Sequence, residues 1–228
     1  MNKRRTWDYS PVHRTIEIVA LLGFAVFWVL LIIQSVGGII RDEPLRLVWM
    51  VPLSWLAAWV LADFFTGVMH FLCDTMGDPD TFYFGPAFIR PFREHHDDPM
   101  AICRHDYVER NGDNAIVSLP VLLATYVWGA GESFGGQSFG LFMAIFLACI
   151  VLTNDIHAWA HAEKVPRIVR RLQKMRLILS KEHHDFHHTP PHHSHFCITV
   201  GWLNGLIDGS GICASIARNA QAPKTKQR

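Results

Sequence analysis

Hydrophobic residues in this chain are concentrated in four long segments that carry almost no charge. The first contains 23 consecutive residues, Ile18 to Ile40, without a charged side chain, and a helix of that length crosses a hydrocarbon core of about 30 Å. It is longer than the hydrophobic region of a signal peptide, and no small-residue cleavage site follows it, so we predict an uncleaved span. The four predicted spans are residues 16–40, 45–72, 115–130 and 138–157, with a short hairpin at 129–136 between the last two.

Histidine-rich polar segments follow the second and fourth spans, at residues 73–113 and 158–207. Between Val165 and Met175, apolar residues recur at helical spacing opposite a basic face, which predicts a helix lying on the membrane surface. The apolar stretch Phe196 to Ile207 is too short to cross a bilayer and is predicted to be interfacial or re-entrant. Residues 217–228 are predicted to form a polar tail. We therefore predict an all-α integral membrane protein with one domain, residues 1–228, in which four transmembrane helices carry a cytosolic cap.

The distribution of basic residues predicts the orientation of the spans. Of the 21 Lys and Arg, only Arg41 and Arg46 fall in the loops after the first and third spans. By the positive-inside rule, both termini and residues 73–113 lie in the cytosol. Five cysteines at irregular spacing, without a C-x-x-C pair, fit that reducing side. The net charge of +1 gives no sign of nucleic-acid binding. A bacterial inner membrane is favoured, or the endoplasmic reticulum membrane if the source is eukaryotic.

Histidine is the unusual component of the composition, with 14 residues among 228. Clustered imidazoles repel one another when protonated and need partners when buried, so a fold that collects them is expected to bind a metal. Offsets of seven and four residues place Asp63, His70 and Asp74 on one helical face. The remaining groups are His95 and His96 with His105, the pair His157 and His161, and the segment with His183, His184, His187, His188, His192, His193 and His195.

The number of candidate ligands narrows the choice of metal. About ten candidates are too many for one structural or hydrolytic zinc, and haem needs only one or two axial histidines. Two non-haem metal ions that share imidazoles and a carboxylate fit better, and imidazole suits iron. The motifs H-E-x-x-H, G-x-S-x-G and the P-loop are absent. The segment 129–134 lacks the third glycine of a dinucleotide fingerprint, so the electrons of a redox reaction are expected to come from a separate donor.

At this point the residues resemble a known family, the plasmanylethanolamine desaturases, which make the vinyl ether of plasmalogens. A more distant likeness connects them to a plant chloroplast phosphatidylglycerol desaturase. The resemblance covers about residues 60–207, including H-A-W-A-H (157–161), and is specific at HH-x-x-P (95–99) and HH-x-x-HH (183–188). It implies a membrane phospholipid substrate, molecular oxygen as co-substrate and two iron ions. It also implies a separate electron donor, cytochrome b5-like or ferredoxin-like with its reductase.

The resemblance also implies roles for individual residues. As metal ligands it implies His70, Asp74, His95, His96, His157, His161, His183, His184, His187 and His188. Further candidates, as ligands or as partners of ligands, are His105, His192, Asp63 and Asn154. Arg90 and Arg93 are candidates for contact with the lipid phosphate, although basic residues beside a cytosolic interface commonly act as anchors. His193 and His195 are interpreted as additional surface histidines and His13 as solvent-facing, and no catalytic residue beyond the ligands is predicted.

Three functions remain open at the level of the sequence. The favoured one is oxygen-dependent formation of the vinyl-ether bond of an ether phospholipid. That bond lies beside the glycerol, at the depth where His70 and His157 leave their predicted spans. A related alternative is another lipid oxidase, a desaturase or hydroxylase of a phospholipid acyl chain. A membrane metal transporter would need ionisable ligands along a path at mid-membrane, and only Asp63 and His70 approach that depth.

The predicted orientation can be tested with reporter fusions. A reporter placed at residue 43 or 134 should report the non-cytosolic side, and one at residue 90 or 228 the cytosolic side, because of the distribution of Lys and Arg. Opposite labelling at either pair of positions would contradict the four-span arrangement.

Overall fold

The computed structural model of the chain describes residues 9–129 and 133–221, which contain helices and connecting segments but no strand. The α-helices in these ranges are α1 (Pro11–Asp42), α2 (Leu47–Thr75), α3 (Arg90–Asp97), α4 (Ala101–Arg104), α5 (Tyr107–Ala124), α6 (Phe134–His161), α7 (Arg167–Lys174), α8 (Lys181–Asp185), α9 (Asn204–Ser210) and α10 (Ile212–Gln221). A 3₁₀ turn at Pro44–Arg46 precedes α2. A π-helical turn at Gly85–Ile89 precedes α3, and another at Thr125–Gly129 continues α5.

Three helical segments in the described part of the chain are long and apolar enough to cross a membrane: Pro11–Asp42, Pro44–Thr75 and Phe134–His161. They correspond to the first, second and fourth predicted spans. The third predicted span differs, because its helix begins at Tyr107 and its first half carries the charged residues Glu109, Arg110 and Asp113. Residues 130–132 of the predicted hairpin lie outside the described residues, and α6 already begins at Phe134.

The chain divides into two compact units, and the first comprises residues 9–62 with 104–155. In this unit α1, α5 and α6 bury one continuous apolar cluster. Its members are Ala20, Phe24, Leu31, Ala115, Leu122, Ala144, Leu147 and Val151. The indole Nε1 of Trp28 donates a hydrogen bond of 2.8 Å to the carbonyl of Ala144, so α1 and α6 are joined by a polar contact as well as by packing.

Several charged and polar side chains inside the first unit pair with one another, which lowers the cost of their burial. The carboxylate of Asp155 accepts hydrogen bonds from Arg110 Nε at 2.8 Å and from Asn111 Nδ2 at 3.0 Å, which connects α5 to α6. Near the start of α1, Arg14 donates to the Asp106 carboxylate at 2.7 Å, which ties α1 to the N-terminus of α5. These directional bonds fix the positions of the three helices along their axes. Apolar packing alone would constrain those positions less.

The second unit, residues 63–103 with 156–221, contains the apolar stretch that is predicted to be interfacial or re-entrant. Phe196 to Val200 form a buried, non-helical segment within it, and its position relative to a membrane stays a prediction. Its backbone has a partner inside the unit, since Asn204 Oδ1 accepts from the N–H of Cys197 at 2.8 Å. The periodicity could not show this contact, because a short apolar run looks the same in a buried irregular segment and in a surface helix.

Two peripheral helices complete the second unit. Helix α10 reaches Gln221, so the first residues of the predicted polar tail are helical, and Ala217 packs against Phe71 and Phe196. Residues 222–228 lie outside the described ranges. On α7, Val169 is buried while Ile168 and its basic neighbours are exposed, which agrees with an amphipathic helix. Its position on a membrane surface stays a prediction.

Two leucines on α1 test whether the cluster of the first unit stabilises the fold. The side chain of Leu31 is fully buried, whereas that of Leu22 is 63% exposed. Leu31→Ala should lower the free energy of unfolding by about 2–5 kcal/mol because it leaves a cavity. Leu22→Ala, the matched control, should change it by about 0.5 kcal/mol. Equilibrium unfolding in detergent micelles measures both, and equal effects would contradict this packing.

Candidate metal centre

Four parts of the second unit contribute histidines to one buried region. They are the end of α2, helix α3, the end of α6, and α8 with the residues that follow it. Ligand nitrogens converge in two groups that share His95. The first nitrogen group contains His95, His157, His161, His184 and His188, and the second contains His70, His95, His96 and His187. Eight of the nine histidines implied as ligands by the family resemblance are therefore brought together.

The first nitrogen group has the spacing of a metal's ligand shell. The Nε2 atoms of His157, His161 and His184 form a triangle with sides of 2.9, 3.0 and 3.1 Å, and His188 Nε2 lies 3.2 Å from that of His184. Each Nε2 carries one proton or one lone pair, so the triangle cannot be satisfied by hydrogen bonds among its members. Nitrogens about 2.1 Å from one ion, at right angles, would lie about 3 Å apart. The triangle therefore fits a shared metal ion.

The second nitrogen group surrounds a carboxylate. Asp74 Oδ2 lies 3.1 Å from His96 Nε2, 3.3 Å from His70 Nε2 and 3.4 Å from His187 Nε2. Within the described residues, Asp74 Oδ1 and the Nε2 atoms of His70, His95 and His187 are buried without a hydrogen-bond partner. Leaving a buried polar atom unpaired costs about 1–3 kcal/mol. Four such atoms in one place indicate a missing positive partner, and a metal ion supplies one.

The other ring nitrogen of several histidines is held by the backbone. A carbonyl oxygen can only accept a hydrogen bond, so a ring nitrogen facing one must carry the proton, and the opposite Nε2 keeps its lone pair. This arrangement orients imidazoles around metals in proteins. The three pairs are His70 Nδ1 with the Phe196 carbonyl at 3.0 Å, His187 Nδ1 with the Ser194 carbonyl at 2.8 Å, and His95 Nδ1 with the Phe92 carbonyl.

Burial keeps three of the imidazoles neutral. It is the main cause that lowers the pKa of His95 and of His184 far below the ordinary value, and neighbouring imidazoles add to the effect. Burial and the same kind of neighbours lower the pKa of His188 to about 2. Neutral imidazole is the form that binds a metal, so these three side chains are in the binding state at physiological pH.

Three histidines of the sequence-based set lie outside both nitrogen groups. The Nε2 of His183 lies 3.0 Å from the amide nitrogen of Asn204, which donates to it. His105 belongs to the first unit, where its Nε2 is 3.9 Å from the carboxylate of Glu109. His192 lies beside the second group: its Nδ1 donates to the His187 carbonyl at 3.0 Å, and its ring centroid is 4.6 Å from that of His96.

Asp63, a second-rank candidate ligand, is bound to backbone. Its Oδ1 accepts from the N–H groups of Val200 at 2.7 Å and Gly201 at 2.8 Å, and its Oδ2 accepts from the N–H of Leu203 at 3.2 Å. The carboxylate is fully buried, and these bonds compensate its charge. Asp63 therefore anchors the turn after the buried segment 196–200, which supplies the Phe196 carbonyl to His70.

The remaining candidates also have protein partners. Asn154 donates to the carbonyl of Arg110 at 2.6 Å within the first unit. Arg90 pairs with Asp80 at 2.9 Å. Arg93 donates to carbonyls at the end of α2, those of Cys73, Met76 and Gly77, which a helix C-terminus leaves without partners inside the helix.

Sequence reasoning missed the residues that support the ligands. Phe196 and Ser194 act through their carbonyl oxygens, which no side-chain pattern reveals. Asn204 is buried and bonds both Cys197 and His183. Its signal in the sequence is a polar residue within an apolar run.

The fold and the site therefore define the class of this protein: a helical membrane protein with two converging groups of metal-binding side chains. Comparison with known proteins identifies the family: the model of the lipid desaturase domain matches residues 59–220. The chain belongs to the lipid desaturase family, which confirms the resemblance derived from the histidine motifs.

Individual relatives agree with this assignment. The chain is 38% identical over 199 residues to plasmanylethanolamine desaturase of Myxococcus xanthus, covering 86% of this chain and 68% of the relative. It is 43% identical over 170 residues to plasmanylethanolamine desaturase 1 of Mus musculus, covering 71% and 62%. It is 32% identical over 162 residues to chloroplastic fatty acid desaturase 4 of Arabidopsis thaliana, covering 70% and 48%. No solved structure matches the chain. Because these relatives are named as desaturases, they do not support the metal-transporter hypothesis.

Asp74 provides a direct test of the second nitrogen group. Asp74→Asn keeps the shape but removes the charge beside three Nε2 atoms, so bound metal per chain should fall about tenfold or more. Asp80→Asn is the control, because that carboxylate is 86% exposed at the surface. Metal analysis of the two purified variants measures the difference. Full metal content in Asp74→Asn would contradict a role of Asp74 in metal binding and leave it only as a residue at the end of α2.

Proposed function

We propose that this chain is an oxygen-dependent desaturase that introduces the vinyl-ether double bond into the alkyl chain of an ether phospholipid. The reaction would convert plasmanylethanolamine to plasmenylethanolamine. The observation that carries the proposal is the pair of nitrogen groups joined at His95, with Asp74 in the second group, in a member of the lipid desaturase family. The names of the bacterial and mouse relatives support this substrate.

The overall reaction balances with an external reductant. Two hydrogens leave the first two carbons of the alkyl chain, and the C–C bond between these carbons becomes a double bond. Molecular oxygen takes up those two hydrogens together with two electrons and two protons, and two molecules of water form. The two electrons come from a separate donor, cytochrome b5-like or ferredoxin-like with its reductase.

The donor set fits two iron ions. One would be held by His157, His161, His184 and His188, and the other by His70, His96, His187 and Asp74. His95 belongs to both nitrogen groups. Imidazole and carboxylate ligands suit non-haem iron, which when bound supplies the oxygen-activating redox chemistry that side chains lack. We leave His183 out of the ligand set because its Nε2 accepts from Asn204.

Residues of the second unit would prepare the centre for this chemistry. The carbonyls of Phe92, Phe196 and Ser194 hold three imidazoles with Nε2 toward the centre. The Phe92 ring lies 4.8 Å from the His70 ring, and the Phe196 ring lies 5.1 Å from that of His187. These apolar rings exclude water from the ligands, which protects a reactive site from side reactions.

We further propose a multi-pass arrangement with both termini in the cytosol. It requires α5 with Thr125–Gly129 to serve as a fourth span beside the three apolar ones. The eight clustered histidines would then lie at the cytosolic interface, within reach of a soluble or membrane-anchored electron donor.

Desaturation of a phospholipid acyl chain is the second candidate. The identity of 32% to chloroplastic fatty acid desaturase 4 favours it, because the same donor set can serve a different chain. The identity to the two plasmanylethanolamine desaturases is higher, and this is why the ether lipid comes first.

Alanine variants test whether the centre performs the reaction. His96→Ala and His184→Ala each remove one ligand from a different group, so acid-labile vinyl ether should fall below detection in host cells supplied with the ether lipid. His193→Ala, a histidine outside both groups, is the control and should form product at the wild-type rate. Immunoblots of membrane fractions establish insertion of all three. Retained product in both cluster variants would contradict the assignment.

A further inference from the structure

A groove on the second unit has no assigned role. It has a volume of about 580 Å³ and lies between the end of α7, the start of α8 and the turn at residues 200–205. The lining residues that matter here are Arg176, Ser180, Glu182, His183, Phe186 and Trp202. None of them belongs to the two nitrogen groups, so the groove is a separate feature.

The groove carries both signs of charge without an ion pair between them. Among the described residues, no carboxylate oxygen lies within 4.0 Å of the Arg176 guanidinium, and no basic nitrogen lies within that distance of the Glu182 carboxylate. Lys181, the nearest basic neighbour of Glu182 in sequence, pairs with Asp185 at 2.9 Å. A ligand that carries a cation and an anion can therefore satisfy both side chains at once.

The backbone around Arg176 is held in place. Arg176 has a φ of 55°, a left-handed conformation that is uncommon for a residue with a side chain. The indole Nε1 of Trp202 donates to its carbonyl at 2.7 Å, so the arginine and the aromatic wall of the groove are connected directly. These contacts fix where the side chain of Arg176 leaves the backbone at the edge of the groove.

The groove shares helix α8 with the metal centre. His183 lines the groove, and His184, the next residue, belongs to the first nitrogen group. The turn at Gly201 approaches His183 so closely that a Cβ there would lie 2.6 Å from the imidazole ring. A ligand in the groove is therefore held against the helix that positions His184.

We propose that this groove binds the zwitterionic headgroup of the phospholipid, with the phosphate at Arg176 and the amine at Glu182. Arginine suits phosphate because its planar guanidinium offers two parallel donors. The ammonium group would contact the Glu182 carboxylate and the face of the Trp202 indole, a cation–π arrangement. The inference rests on the proposed function only in taking a phospholipid as the substrate.

Binding of soluble short-chain lipids tests the proposal without the reaction. The probes are dihexanoyl phosphatidylethanolamine, dihexanoyl phosphatidylglycerol, which lacks the amine, and inorganic phosphate. Calorimetry with the purified full chain should show that the ethanolamine lipid binds most tightly. Arg176→Gln should weaken both lipids about tenfold. Glu182→Gln should weaken only the ethanolamine lipid, so the preference between the two lipids disappears. Arg170→Gln, an exposed arginine of α7 outside the groove, is the matched control and should change neither.

Each contrary outcome is informative. Equal effects of Arg176→Gln and Arg170→Gln would overturn the proposal. Inorganic phosphate that binds as tightly as the lipids and displaces both, or equal affinity of wild type for both lipids, would overturn it in favour of a simple anion site. Vinyl-ether formation by wild type alongside unchanged lipid binding in both groove variants would refute the groove alone. The expected binding pattern without vinyl-ether formation would refute the reaction alone.

Discussion

The mutual repulsion of lone pairs on clustered imidazoles is the constraint on which this structure depends. The Nε2 atoms of the first nitrogen group lie about as close as hydrogen-bonded atoms, yet neutral rings cannot satisfy all of these contacts. Protonation offers no relief, because burial opposes charge on His95 and His184. A positive ion between the nitrogens replaces each repulsion with a metal–ligand bond. The centre is therefore suited to hold metal ions.

The surrounding fold holds the metal-binding nitrogens in fixed directions. Asp63 holds the turn at Val200 and Gly201, and this keeps the buried segment 196–200 beside α2. The segment approaches so closely that a Cβ at Gly67 would lie 2.5 Å from the Cys197 sulfur, and it presents the Phe196 carbonyl to His70. A buried carboxylate distant in sequence from the segment thus helps to set the direction of a metal-binding nitrogen.

The sequence is sufficient to predict three of the apolar spans and most of the clustered histidines. A residue spacing specifies a helical face, and the faces carrying His70 with Asp74 and His157 with His161 do converge. The same spacing does not decide the role of Asp63, which shares the face of His70 and whose carboxylate accepts hydrogen bonds from backbone N–H groups. The periodicity of side chains cannot reveal such partners, because backbone carbonyls and N–H groups occur along the whole chain. For the same reason, the contact of His183 with Asn204 and the buried course of Phe196 to Val200 emerge only from tertiary packing.

Metal analysis of the purified full-length protein tests the central claim most directly. Two nitrogen groups, each with its own donors, predict about two iron atoms per chain by elemental analysis, with Mössbauer spectra of nitrogen- and oxygen-ligated iron. Iron that remains after mild chelation would agree with the burial of His70 and His184. A single zinc per chain, or less than one tightly bound metal under iron-replete expression, would contradict the account.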